Sequence, residues 1–301
     1  MPGATGLAKL SLGTVPAENA KLTITVADGS VDAAELTTLA GKTSEEVTAT
    51  AATTFTGSGS DINVLLTAAT NDDVEITATA DFSLSDSTVA VSDLATLDAA
   101  NGTGNVVVAD NALVTGTASE LAAAIQDADI LIPNNATFDV APEANSAATN
   151  PAHIATIAGV NAAANSVDLD DVTAVTGTAA DLAGLKAVAA NLNNATFAAS
   201  VNNGANANAT VQNVLDVRDV TSGAITATIT DGATAELVKL DGETSTSDLL
   251  TITISAENVD AVTLGKIADA TGEKVDAAAM LQLGGTAGEI ATQIQDANVT
   301  Y

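Results

Sequence analysis

One short phrase recurs along this chain and limits what the chain can fold into. It is a glycine, two small residues, any residue, an acidic residue and then Leu or Ile, as in "GTASEL". The phrase starts at Gly57, Gly116, Gly177, Gly232 and Gly285, at intervals of 59, 61, 55 and 53 residues. A second phrase alternates with it and is centred on Leu36, Leu94, Ile154, Val214 and Leu264. Two independent phrases with one spacing predict about ten units of roughly 28 residues, arranged as five pairs.

Each unit has the residues that begin a helix and those that form short strands. Thr117 with Glu120 has the spacing of an N-cap and the acidic partner that completes a capping box. The same pair recurs as Ser58 with Asp61, Thr178 with Asp181, and Thr286 with Glu289, whereas Ala233 cannot cap. β-type runs such as "NVVVAD" and "DILIP" follow the helices. An Asp or Asn corner and a second strand, such as "ATFDV", then lead to the next helix.

This order predicts an α/β repeat solenoid of about ten coils, each a strand, a corner, a second strand and a short helix. The strands form parallel sheets and the helices lie on one side, because a unit of this size can bury its faces only against its neighbours. We expect one solenoid over residues 1–301, with two-coil repeats near 21–81, 82–140, 141–201, 202–254 and 255–301. A doubly wound sheet or a series of small β/α domains are the alternatives.

The alignment also predicts which residues stack and which residues turn the chain. One buried helical row is expected at Leu121, Leu182, Leu237 and Ile290, and a second at Leu36, Leu94, Ile154 and Leu264. The four phenylalanines, Phe55, Phe82, Phe138 and Phe197, are expected to point inward from the strands that precede helices. The corners are expected at Asp81, Asp110 with Asn111, Asn134 with Asn135, Asp170 with Asp171, Asn193 with Asn194, and Asp231.

The composition excludes several classes of function. There are 38 acidic residues against eight basic ones, a formal net charge of −30, and this charge repels nucleic acids and anionic membrane surfaces. No cysteine is present, which excludes disulfides, thiolate metal sites and thiol nucleophiles. No apolar run approaches the ~20 residues needed to span a bilayer. We therefore expect neither nucleic-acid binding nor membrane insertion.

Few residues suggest chemistry, and we expect no enzyme and no catalytic residue. The single histidine, His153, has no second His or Cys for a zinc site or a relay, and Arg218 is expected to pair with its neighbours Asp216 and Asp219.

Acidic clusters are the one candidate for a binding site. Asp168, Asp170 and Asp171 in "SVDLDDV" could give hard oxygen ligands to Ca²⁺, the only cofactor that the sequence suggests. Asn71, Asp72 and Asp73 are a second candidate. The competing interpretation is that these acids keep a β surface solvated and block edge pairing.

Phrases such as "VTGTASELAAAI", "VTGTAADLAGL" and "DLATLDAANGTGN" resemble the Ala/Thr/Asp-rich repeat arrays of very large bacterial cell-surface proteins, of the marine cyanobacterial type. The resemblance covers essentially the whole chain. It implies an extracellular or cell-surface location and a structural role, as a surface-array module or a filament subunit. A Ca²⁺-dependent adhesin or glycan-binding module is the alternative.

The two ends of the sequence suggest a partner. "IQDANVTY" at Ile294 to Tyr301 parallels "IQDADILI" at Ile125 to Ile132, so the sequence ends at a strand after a helix. The first residues, "LAKLSLGT" and "AKLTITV", are also strand-like and apolar. We expect copies of the chain to associate head to tail, by strand addition or stacking, which gives a fibre because such a contact need not close.

Overall fold

The computed structural model describes residues 21–27, 29–144, 147–164, 166–202 and 208–301. Within these residues the protein is α/β, with short helices alternating with short strands, and every strand pair is parallel. Paired residues lie between 20 positions apart, as in Asn208 with Thr228, and 29 apart, as in Phe138 with Val167. Pairing therefore joins neighbouring units of the repeat. No helix in the described residues is long and apolar enough to cross a membrane.

The ten described α-helices run from four to twelve residues. They are α1 Ala33–Ala40, α2 Gly59–Thr70, α3 Val91–Asn101, α4 Ala118–Gln126, α5 Pro151–Ala158, α6 Ala179–Gly184, α7 Val211–Arg218, α8 Thr234–Leu237, α9 Ala261–Asp269 and α10 Ala287–Ile294. Two of them continue as 3₁₀ turns, α6 through Leu185–Asn191 and α8 through Val238–Leu240. Each of the ten repeated phrases falls on one of these helices.

The strands are two to five residues long. The first eleven are β1 Ile24–Thr25, β2 Ser30–Asp32, β3 Val47–Thr48, β4 Thr54–Gly57, β5 Val74–Glu75, β6 Asp81–Leu84, β7 Thr88–Ala90, β8 Val106–Val107, β9 Leu113–Thr117, β10 Ile130–Leu131 and β11 Thr137–Ala141. The others are β12 Val167–Asp168, β13 Ala174–Gly177, β14 Leu192–Asn193, β15 Ala198–Val201, β16 Asn208–Ala209, β17 Ile225–Ile229, β18 Leu249–Thr251, β19 Asn258–Asp260, β20 Val275–Asp276, β21 Gln282–Gly284 and β22 Val299–Thr300.

The chain divides into two compact units. The first comprises the described residues up to Val89, with Asp93–Ala109 and Ala128–Ile132; it holds the sheets β1-β3-β5 and β10-β8-β6-β4-β2. The second comprises Ala90–Ser92, Asp110–Asp127 and the described residues from Pro133 onward. It holds the run β9-β11-β12-β14, a sheet around β13, β15 and β17, and the pairs β19-β21 and β20-β22.

Two kinds of coil alternate, which explains why the repeat is a pair of units. In one kind the second strand runs straight into a capped helix, as β9 runs into α4. In the other kind a further short strand precedes the helix, as β2 precedes α1 and β19 precedes α9. This further strand pairs with the second strand of the next coil, as in β2 with β4 and β19 with β21.

The predicted helix caps are confirmed. Thr117 and Glu120 form a reciprocal capping box on α4, and the same arrangement begins α2 and α10. Thr178 accepts from the backbone N–H of Asp181 at the start of α6. Ala233 gives α8 no side-chain cap, as predicted, and that helix has only four residues.

Four of the five repeated glycines lie against the first residue of the preceding helix, whereas Gly232 lies against Ser255 of the following coil. A Cβ added to Gly177 would lie 2.5 Å from Cγ of Pro151, the first residue of α5. A Cβ added to Gly116 would lie 2.3 Å from Cγ1 of Val91, the first residue of α3. At Gly116 and Gly177 the strand therefore passes under the first turn of the preceding helix, where a larger side chain would not fit.

Most of the predicted core is buried. Leu121, Leu182 and Leu237 are buried, whereas Ile290 is only half-buried; the interleaved set of Leu36, Leu94, Ile154 and Leu264 is fully buried. All four phenylalanines are buried, and Phe55 and Phe82 pair across β4 and β6 with ring centroids 6.3 Å apart. Phe197 lies just before β15 and not within it.

Carboxylates from one coil cap helices of the coil before it. Asp86 accepts from the backbone N–H of Gly59 at 2.6 Å, and Glu143 accepts from both the N–H and the hydroxyl of Ser119. Asp231 accepts from Val211 at the start of α7 and Glu257 from Thr234 at the start of α8, both at 2.7 Å. Each contact places a negative charge at the positive end of a helix dipole.

The predicted Asx corners are confirmed in the middle of the chain, but they are wrong at Asp81 and Asp231. Turns lie at Asp110–Asn111, at Asn134–Asn135 and at Asp170–Asp171, and Asn194 bends the chain after β14. Asn111 and Asn194 adopt left-handed φ values of 61° and 54°, which Asn tolerates. Asn135 Oδ1 accepts from the N–H of Asn111 at 3.3 Å, so one rung of the expected ladder is present.

Asp81 and Asp231 do not form corners. Asp81 lies in β6 and accepts from the backbone and side chain of Asn105, and the corner of that coil is the turn at Ala78–Thr79. Asp231 lies after β17 and caps α7. A turn without a left-handed residue can be made by Ala and Thr, so the corner does not require an Asx residue in every coil.

We expect Gly177→Ala to lower the free energy of unfolding by about 1–3 kcal/mol, because the added methyl group overlaps the rigid ring of Pro151. Gly184→Ala is the matched control: nothing lies within 4 Å of its Cβ position, and alanine in a helix stabilises by about 0.5–1 kcal/mol. Chemical denaturation measures both. Equal effects of the two substitutions would contradict the proposed packing role of the glycine.

Candidate functional site

The candidate metal ligands Asp168, Asp170 and Asp171 lie at one corner of the second unit. Asp168 ends β12 and Asp170 and Asp171 form the turn that follows it. The structure adds a fourth carboxylate, that of Asp139 in β11, because β11 and β12 pair with Asp139 directly opposite Asp168. Two neighbouring coils therefore contribute acidic residues to one corner.

Three of these four side chains converge. Carboxylate oxygens of Asp139, Asp170 and Asp171 lie within 4.8 Å of one another, with Asp139 half-buried and the other two exposed. Asp168, the third predicted ligand, is not among the three and makes hydrogen bonds within the corner. Its Oδ1 accepts from the N–H of Asp170 at 3.2 Å and from the side-chain amide of Asn194 at 2.9 Å. Asp168 therefore stabilises the turn that presents Asp170 and Asp171.

Asp139 could not be found by looking for clusters in the sequence, since it lies 29 residues before its partner Asp168. The signal that could have found it is the register of the repeat. Phe138 points inward beside Val167, so the next residue on each strand, Asp139 and Asp168, points to the other face. Aligning the second strand of one coil with the first strand of the following coil would have placed Asp139 opposite Asp168.

Asp139 is the member of this cluster whose ionisation is disfavoured. Burial raises the pKa of Asp139 above its ordinary value of 3.8, and the charges of Asp170, Asp168 and Asp171 raise it further. Carboxylates directly opposite each other on neighbouring strands repel, which destabilises a sheet. A divalent cation bound by Asp139, Asp170 and Asp171 would remove this repulsion, and oxygen ligands of this kind suit Ca²⁺.

The second acidic candidate, Asn71 to Asp73, is the end of a helix. Asn71 caps α2, and Asp72 has a left-handed φ of 61°. The N–H of Asp73 then donates to the carbonyl of Ala68 at 2.9 Å, the pattern of a Schellman cap. The way in which α2 ends therefore explains why Asn71, Asp72 and Asp73 occur here.

The expected partners of Arg218 were wrong. Arg218 donates to Oδ1 of Asp248 at 2.5 Å and to the carbonyls of Thr221 and Gly223, and Asp248 is fully buried. Asp216 and Asp219 instead bind Lys186, at 2.6 and 2.8 Å. The hydrogen bond from Lys186 lowers the pKa of Asp216 below its ordinary value.

His153 lies in α5 and is half-buried, and its Nδ1 is enclosed and has no hydrogen-bond partner.

Comparisons with protein-family models, with curated proteins and with solved structures find no match for this chain. What the chain does has to be inferred from its own residues.

We expect Asp139→Asn to stabilise the calcium-free protein at neutral pH by about 0.2–1 kcal/mol, the range for cross-strand pairs. Because the folded-state pKa of Asp139 is raised, ionisation opposes folding, and the penalty grows as pH rises from the ordinary value of 3.8 through the folded pKa. The gain should therefore be full at pH 7 and vanish well below pH 3.8, where Asp139 is neutral in both states. Thermal unfolding across this pH range measures it; a gain independent of pH would contradict the assignment.

We expect Ca²⁺ to bind Asp139, Asp170 and Asp171 in the folded chain and not in the unfolded chain, and so to raise the melting temperature. Asp170→Asn with Asp171→Asn should abolish that increase. Asp72→Asn with Asp73→Asn is the matched control; it removes the same charge from a helix end and should leave the calcium response intact. A full response in the first variant would exclude the corner as the calcium site.

Proposed function

We propose that this chain is a repeat solenoid with a structural role at a bacterial cell surface, and that copies of it associate end to end. The observation that carries this proposal is the parallel pairing of equivalent segments in successive coils. Such a coil has two faces, and each face is complementary to the opposite face of its neighbour. A protein built this way extends by adding coils.

The location at a cell surface rests on composition and on the resemblance of the repeated phrases to surface-protein arrays. A formal net charge of −30 and the absence of cysteine suit a soluble, redox-independent module. Four basic residues of the described chain, Lys186, Arg218, Lys239 and Lys266, pair with carboxylates of the same chain.

A calcium-dependent binding module is the second candidate, favoured by the convergence of Asp139, Asp170 and Asp171. In that case the acidic corner would couple the stability of two coils to the external calcium concentration. The calcium titration described above separates this candidate from a structural role that does not depend on the ion.

We expect the purified chain to form concentration-dependent, linear oligomers, because an end-to-end contact joins two different surfaces and does not close on itself. Light scattering after size exclusion measures their mass, and negative-stain electron microscopy measures their shape. A chain that stays monomeric at the highest soluble concentration would contradict the proposed association, and closed rings would contradict its linear form.

A further inference from the structure

A groove separates α2 from α3, at a junction that is closed in the three equivalent places along the chain. A helix that begins with the glycine phrase is followed in the next coil by a helix of the second phrase, and α4 packs on α5, α6 on α7 and α8 on α9 in this way. α2 and α3 form the same kind of junction but approach each other less closely. The groove between them has a volume of about 510 Å³, and all of its lining residues belong to the first unit.

The side chains of α2 explain why this junction stays open. Two of its residues that line the groove are Asn63, which is exposed, and Val64, which is 53% exposed. When the glycine phrases are aligned, the equivalent pairs in α4 and α6 contain only small residues: Ala122 with Ala123, and Ala183 with Gly184. The side chains at a contact set the distance between two helices, so the larger residues of α2 hold α3 further away.

The lining of the groove is partly apolar and partly acidic. Its apolar part consists of Val64 together with Leu84, Val89 and Leu97, which are buried. Its other lining residues are small or neutral, apart from two aspartates, and no basic residue is among the described residues that line it. Sites for small molecules are mostly apolar clefts of roughly 300–1,000 Å³ with a few polar groups. The groove therefore has the size and the lining of such a site.

The two carboxylates in the groove have oxygen atoms that the described residues do not occupy. Asp86 accepts from the N–H of Gly59 at 2.6 Å through Oδ2, and its Oδ1 has no hydrogen-bond partner among the described residues. Asp93 is exposed in the first turn of α3 and forms neither a hydrogen bond nor an ion pair with the described residues. Both side chains can therefore bind a cation without losing an ion pair.

This combination of residues favours a cation that carries an aliphatic chain. The net charge of −30 attracts cations and repels anions. Ca²⁺ takes oxygen ligands and makes no use of four apolar side chains, whereas an uncharged apolar molecule makes no use of the carboxylates. An alkylammonium ion uses both, because its chain covers apolar surface while its charged end stays at the polar rim, as a lysine side chain does on a protein surface.

We propose that the groove between α2 and α3 is a binding site for a small aliphatic amine. The carboxylates of Asp86 and Asp93 bind its ammonium group, and its alkyl chain lies on Val64 and the apolar residues beside it. This site does not depend on the end-to-end association proposed above, since all of its residues belong to one unit of one chain.

Calorimetric titration of the full chain with n-hexylammonium chloride, at neutral pH and physiological ionic strength, tests this proposal. We expect one ligand per chain and an affinity that falls about two- to fourfold for each methylene removed, through n-pentylammonium to n-butylammonium, because a shorter chain covers less apolar surface. n-Hexanol, which has the same chain without the charge, should bind at least about fivefold more weakly. An affinity that does not change with chain length would reveal diffuse attraction to an acidic protein and overturn the site, and equal binding of n-hexanol would overturn the amine as its ligand.

A pair of variants tests the carboxylates. Asp93→Asn should weaken the binding of n-hexylammonium by about two- to fivefold, the range for one exposed ion pair. Glu35→Gln is the matched control, because Glu35 is also an exposed acid in the first turn of a helix, α1, and does not line the groove. It should bind as the parent chain does. Thermal unfolding checks that both variants are folded, and equal affinities of the two would overturn the assignment of the amine to this groove.

Methyl NMR spectra of the same titration locate the ligand on the chain. We expect the signals of Val64, Val89 and Leu97 to shift, and those of Leu249 and Val262, which are exposed in the second unit, to stay in place. Shifts of equal size at all five residues would overturn the site.

The source of the amine is tested with Nα-acetyl-lysine N-methylamide, which carries an alkylammonium chain on a peptide group. We expect it to bind no more tightly than n-butylammonium, which has the same alkyl chain. Binding more than about tenfold tighter would identify a lysine of a protein partner as the occupant and overturn the small amine.

Discussion

Parallel pairing between residues about one coil apart is the interaction on which the rest of each unit depends. It fixes equivalent residues beside each other, as in Phe55 with Phe82 and Val106 with Ile130. Short strands of two to five residues contribute few hydrogen bonds each, and the helices are too short to be stable alone. Stability therefore has to come from apolar side chains repeated in register, and the chain supplies these with Val, Leu, Ile and Ala in place of aromatic residues.

The same pairing between coils explains why a glycine and helix-capping acidic residues recur in the repeat. The strand that enters a helix passes under the first residue of the preceding helix, where Gly116 and Gly177 leave no room for a methyl group. The acidic residues that cap helices come both from within the coil, as Glu120 does, and from the next coil, as Glu143 does. A carboxylate in these positions meets unpaired N–H groups, so many acids are accommodated without basic partners.

The helices and most corners are predictable from the sequence because they depend on local chemistry. Thr117 and Glu120 have the spacing of a capping box and begin α4, and Asn tolerates the left-handed backbone at Asn111 and Asn194. Contacts between residues far apart in the sequence, and turns that many residue types can form, are not predictable in this way. Arg218 bonds to Asp248, thirty residues away and buried, in preference to its sequence neighbours. Asp139 joined the candidate site through strand register alone.

Pairing of similar residues in neighbouring coils stabilises the fold where they are apolar and destabilises it where they carry the same charge. Strands β11 and β12 contain a pair of each kind. The register that buries Phe138 beside Val167 also places Asp139 beside Asp168, so an apolar pair and a repulsive pair come from the same two strands.

Asp168 relieves part of this repulsion, because its carboxylate accepts from the N–H of Asp170 and from the side-chain amide of Asn194. Burial raises the pKa of Asp139, and the charges of Asp170, Asp168 and Asp171 raise it further. A repeat protein of this composition can keep such a rung only if the surrounding rungs are stable enough to tolerate it, or if a cation neutralises it. The response of Asp139→Asn to pH and to calcium distinguishes these two physical situations, because only the second makes the carboxylate stabilising.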